Sequence, residues 1–139
     1  MTTSTTTALG TFSIRSWDEN PWAEDDPGHK LTHAKVTAAY EGDIEGDGTS
    51  QSVMCYVDDE HATYAGFERV TGRLGGRSGT FVVEARGTYE DRTAKTSWTV
   101  VPGSGTGELA GLRGSGGYVA GHGEAAVAYR LDYSFEPAG

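Results

Sequence analysis

Apolar and polar positions alternate with a period of two along most of this 139-residue chain, and no window has the spacing of an amphipathic helix. The last alternation is the cleanest. Val127, Tyr129, Leu131, Tyr133 and Phe135 fall on one side, and Ala128, Arg130, Asp132 and Ser134 on the other. Such a strand buries one face and wets the other. The same pattern predicts strands over Gly10–Trp17, Leu31–Glu41, Ser50–Val57, Thr63–Leu74, Thr80–Tyr89 and Ala94–Val101. Between them, Asp18–Pro21, Asp25–Gly28, Asp43–Gly48 and Gly75–Gly79 carry loop or turn chemistry.

The segment Val100–Gly117 places seven glycines and a proline in eighteen residues. A phosphate-binding loop is the first chemistry to test there, and its spacing fails because no lysine follows Lys95. A dinucleotide fingerprint forced as Gly105-x-Gly107-x-x-Ala110 lacks its helix, since Gly111 to Gly117 cannot form one. The glycines are therefore read as structural, for tight turns and close backbone approach, with at most one short strand near Glu108–Leu112.

Seven or eight strands joined by short turns, with no helix available as a crossover, must run antiparallel. A sheet of that size closes or splits, and closure removes its edges. The expected fold is all-β: a closed antiparallel eight-stranded barrel, whose interior is just wide enough for side chains or one small ligand. Residues 1–8 are expected to form a disordered tail and residues 9–139 a single domain.

Composition narrows the function. Twenty-one glycines and seven tyrosines fit a β-rich core. A formal charge of −9 argues against nucleic acid and anionic membranes. No apolar run spans a bilayer, and the N-terminus has no signal-peptide pattern, so a cytoplasmic location is expected. The single cysteine, Cys55, excludes an internal disulfide and is expected to be a buried, inert thiol facing away from the lumen.

Glu68 is the candidate with chemistry. It shares a face with Tyr64, Gly66, Val70, Gly72 and Leu74, all small or apolar apart from the tyrosine, while Arg69, Thr71 and Arg73 point the other way. A lumenal carboxylate there would be desolvated and tuned for proton transfer; the structural alternative is an acid paired with an arginine of a neighbouring strand. Met54, Tyr56, Trp98, Tyr129 and Tyr133 fall on lumenal faces as well, either as a ligand-binding wall or as core.

Other motifs fail. Asp43-x-Glu45-x-Asp47-Gly48 opens like a calcium loop, but position twelve is Met54. His29, His33, His61 and His122 fit no metal spacing, and neither Ser78 nor Ser104 makes a nucleophile elbow. No metal or cofactor site is expected.

Four segments together resemble a bacterial family of uncharacterised small domains with a barrel like that of plant allene oxide cyclase. They are Ser16–Glu19, Gly42–Gly46, Tyr64–Gly72 with Gly75–Phe81, and Val100–Leu109. Where that family usually carries a histidine, this chain has Ala85, so a role for that histidine does not carry over. The resemblance implies a closed calycin-like barrel and makes self-association plausible, but transfers no reaction.

The expected function is a cofactor-independent cyclase or isomerase that folds an apolar, polyketide- or oxylipin-like molecule inside the barrel. Glu68 would work there with Tyr64 or Tyr56, and Met54, Trp98, Tyr129 and Tyr133 would hold the substrate. The alternatives are a lipocalin-like carrier without chemistry and a barrel whose lumen is simply filled.

Overall fold

The structure, a computed structural model, describes residues 5–26 and 29–136. Eight antiparallel strands follow one another around a closed barrel. They are β1 (Thr6–Asp26), β2 (His29–Gly42), β3 (Ile44–Tyr56), β4 (Ala62–Leu74), β5 (Arg77–Glu90), β6 (Thr93–Val100), β7 (Leu112–Gly121) and β8 (Val127–Phe135). β1 closes the tube on β8 from Thr6↔Tyr133 to Phe12↔Val127. No helix among the described residues is long and apolar enough to cross a membrane.

Several boundaries differ from the sequence expectation, each for a physical reason. Residues 1–4 lie outside the description, but the ordered chain begins before Leu9: Thr6 to Ala8 pair with β8, and Ala8 is completely buried. Asp18–Pro21 is not a loop. β1 carries on through it, paired with β2 as Asp18↔Lys35 and Asn20↔His33. Past Phe12, β1 pairs with β2 alone among the described residues, so Pro21 sits on an edge where its missing N–H does no harm. Of the second expected loop, residues 27–28 lie outside the described residues.

The turn expected over Asp43–Gly48 is confined to Asp43. β3 starts at the buried Ile44, while Glu45 and Asp47 point outward and pair with Arg73 and Arg15. Alternation survives there but reads as acidic because its inward members, Gly46 and Gly48, are too small to register as hydrophobic. Cys55 does face away from the lumen, yet it is exposed rather than buried.

The glycine-rich segment is also reassigned. The short strand expected near Glu108–Leu112 is a 3-10 turn, Gly107–Leu109, and a full strand, β7, starts at Leu112. Gly114, Gly116 and Gly117 hide that strand from a hydrophobicity pattern. A Cβ at Gly116 would collide with the backbone of Arg130 and Leu131 on β8.

The lumen divides into a packed half and an open half. At the end bearing the β2–β3 and β4–β5 turns, inward positions are large: Ile44, Leu74, Phe81, Leu112 and Leu131, all within 2 % of full burial. The glycine-rich connection folds across this end. Thr106 N–H donates to Thr80 at 2.9 Å, and Leu109, 1 % exposed, drops into the core as a stopper.

Candidate functional site

Toward the other end the inward positions shrink to Ala34, Ala38, Ser50, Ser52, Ala62 and Ala94, and the lumen is left unfilled. A cavity of about 490 Å³ results, within the range of small-molecule sites. Interiors pack densely only where side chains have the volume to do it, and these do not.

Aromatic rings from five strands close the inner end of this cavity, Phe12 and Tyr118 lining it and the other three packing behind them. Phe12, Tyr40, Trp98, Tyr118 and Tyr129 pack in tilted and edge-on pairs with centroids 4.9–6.3 Å apart. Trp98 Nε1 is buried there with no hydrogen-bond partner among the described residues. Tyr129 reaches beneath the floor, its hydroxyl accepting from the Ile44 backbone N–H at 2.8 Å.

Glu68 enters at floor level from β4 and is 9 % exposed. Its Oε2 accepts a hydrogen bond of 2.7 Å from Tyr40 on β2, across the whole width of β3. Gly48 on β3 makes that reach possible, because a Cβ there would overlap Glu68 Oε2 and lie 2.7 Å from Tyr40 Cε1. A second bridge repeats the device. Tyr64 on β4 passes over Gly87 on β5 and shares a 2.7 Å hydrogen bond with Thr96 on β6.

Glu68 Oε1 has no hydrogen-bond partner among the described residues, and Glu68 is part of the cavity wall. Burial pushes the Glu68 carboxyl from its ordinary 4.5 up to about 7, against the smaller downward pull of the Tyr40 hydrogen bond. Burial likewise pushes the Tyr40 and Tyr118 phenols up, so both are neutral donors at neutral pH. The floor thus holds one carboxyl poised near neutrality among hydroxyls that stay protonated.

The mouth is polar. Arg15 is an extra residue in β1, a bulge between the pairs Ile14↔Ala38 and Ser16↔Thr37, and it shifts the phase of the strand. Ile14 and Trp17 both face the cavity as a result. Beyond them, Glu19 Oε2 accepts from Thr32 and from Tyr56, each at 2.6 Å, and Oε1 accepts from Trp17 Nε1 at 2.9 Å. Burial raises the Glu19 carboxyl, but these three hydrogen bonds and the nearby Lys30 outweigh it, leaving the group below its ordinary value. Lys30 Nζ lies 4.8 Å above the Tyr56 ring.

Of the residues singled out from sequence, Glu68, Tyr64, Tyr56 and Met54 line the cavity. They do not form one cluster. Ser50 is opposite Glu68 and Tyr56 opposite Ala62, so Tyr56 sits about 20 Å farther along the barrel wall, at the mouth. Trp98 and Tyr129, expected to hold a substrate, do not line the cavity but pack behind its floor, and Tyr133 lies in the packed half against Phe135. The alternative arginine partner for Glu68 is replaced by Tyr40. Nothing in the sequence links Tyr40 to Glu68, Tyr118 is hidden along with β7, and the bulge hides Trp17 and Glu19.

An eight-stranded closed barrel, stoppered at one end and holding a lone carboxyl on an aromatic floor, defines the class of this protein. A family model described as "Protein of unknown function (DUF3224)" matches residues 8–133, and the chain belongs to that family. It is similar to a solved structure of a DUF3224 protein of unknown function from Shewanella oneidensis MR-1. The two are 26 % identical, with a TM-score of 0.75 over 96 % of this chain and 100 % of that one. No curated protein matches the chain in sequence.

Proposed function

We propose that the open half of the barrel binds a small, largely apolar molecule and isomerises or cyclises it without a cofactor, with Glu68 moving the proton. The observation that carries this reading is the unpartnered Oε1 of Glu68 on the wall of a largely apolar cavity, on a carboxyl that burial pushes up to about 7. In the step envisaged, Glu68 takes a proton from a C–H acidified by an adjacent unsaturated group, and the freed pair forms a new double bond. The protonated acid then returns the proton to another atom of the same molecule, so nothing is oxidised or reduced. Tyr40 steadies the carboxylate in its ionised form. The floor and the narrow walls hold a flexible substrate folded and dry.

A carrier without chemistry is the second reading. It is favoured by the hydroxyls of Tyr64 and Tyr56, both already engaged with protein partners.

Proton exchange separates the two. In heavy water at about pH 8, 2-tetralone, an apolar ketone of suitable size, is expected to exchange its C1 hydrogens faster with the wild-type protein than with Glu68→Gln, as followed by NMR. Equal exchange with both proteins would remove the catalytic reading and leave the carrier.

A further inference from the structure

We infer that the cavity is built for an apolar molecule carrying a protonated amine, with Glu68 as its counter-ion and the aromatic floor as its cradle. This inference rests on the cavity being a ligand site, as proposed above, and names the chemical class that the site selects.

The charges on the cavity wall all point one way. Its acids are Glu68 at the floor and Glu124 at the rim; among the described residues it has no lysine or arginine, and His122 at the rim is its one basic side chain. A ligand carboxylate entering this lumen would lose its hydration with no cation to receive it, beside an acid that repels it. A neutral ligand would leave Glu68 Oε1 without the partner its position invites. An ammonium answers both needs, because it gains a buried opposite charge and donates to the free oxygen. Phe12, Tyr118 and Tyr64 put aromatic rings on the cavity wall, and the negative faces of such rings hold organic cations.

The protein already shows the same preference at its mouth, where the Lys30 ammonium lies over the Tyr56 ring next to Glu19. The chain's net charge of −9 draws cations toward the opening as well.

The groups facing Glu68 are uncharged at neutral pH. Tyr40 on β2, Tyr64 on β4, Tyr118 on β7 and Tyr129 on β8 are its titratable neighbours, and burial raises all four phenols. Opposite Glu68 in register are Ser50 on β3 and Val83 on β5, neither of which ionises. Phe12 on β1 and Thr96 and Trp98 on β6 complete the surroundings with nothing that ionises. At the floor the ammonium therefore meets one charge, and its binding should track the ionisation of that charge.

Three probes of one shape make the test: 1-naphthylmethylamine, 1-naphthalenemethanol and 1-naphthoic acid, titrated by calorimetry against wild type, Glu68→Gln and Glu19→Gln. At about pH 8 the amine should bind roughly tenfold more tightly than the alcohol, and the acid most weakly. Lowering the pH to about 5.5 should weaken the amine roughly tenfold while leaving the alcohol unchanged, because Glu68 must then give up a proton. In Glu68→Gln, an isosteric change, the amine's advantage and its pH dependence should both vanish while the alcohol still binds; in Glu19→Gln they should persist.

An amine no tighter than the alcohol, or an advantage that survives in Glu68→Gln and disappears in Glu19→Gln, would overturn the inference while leaving the cavity as a site for neutral ligands. Binding of none of the three would overturn the cavity reading along with it.

Discussion

Glu68 gives the folded chain a pH response of its own. Its carboxyl titrates near 7 in the folded protein because burial penalises the charge, and near its ordinary 4.5 when unfolded. Between those values the folded chain holds more protons than the unfolded one, so stability is lost as pH rises from 4.5 through 7. The full shift amounts to about 3 kcal/mol. In Glu68→Gln the group no longer titrates, and the amide can still accept from Tyr40. Urea denaturation from about pH 4.5 to pH 8 is therefore expected to show the wild type losing up to roughly 3 kcal/mol more than the variant. Parallel profiles for the two proteins would mean that the carboxylate is solvated.

At the scale of strands and turns, the β5–β6 connection is the weakest fit between sequence and backbone. Asp91 and Arg92 occupy φ values of 53° and 58°, where L-residues are strained. Arg92 is exposed, and its carbonyl accepts from the His122 N–H, a bond that any residue would keep. Arg92→Gly relieves roughly 1–2 kcal/mol of strain and gives back roughly 0.5–1 kcal/mol in unfolded-chain entropy. A net gain of about 0.5 kcal/mol is expected, seen as a rise of about 1–2 °C in Tm. An unchanged or lower Tm would count against the strain.

The strands that alternate large apolar with polar residues were readable from sequence. β4 and β8 match to within a residue at each end, and the inward face of β4 carries Glu68 as expected. The strands that escaped are those whose inward residues are glycine, as in β7 and the start of β3, where a missing side chain leaves no hydrophobic mark. The bulge at Arg15 escaped too, because a phase shift of one residue has no local signature. So the acid and the family were legible. The Tyr40 contact was not, since it spans 28 residues of sequence and depends on the space above Gly48.

Across the whole molecule, dense packing and open lumen are housed at opposite ends. The packed half carries the large side chains and the stopper Leu109, while the open half is walled by alanine and serine. Leu109→Ala is expected to cost about 2–5 kcal/mol, read by urea denaturation, through the void it leaves. The affinity of the naphthyl probes should not change in that variant. A loss of affinity alongside the loss of stability would show that the two halves are coupled.

The Leu109 stopper has a kinetic corollary. A vessel sealed below has a single doorway, so under the proposed function guest and successor would share it, the first departing before the next arrives. Whatever enters must go in head first and back out tail first. Its length is then gauged between the bottom of the well and the Trp17 threshold, and a molecule too long for that depth protrudes into water instead of slipping through.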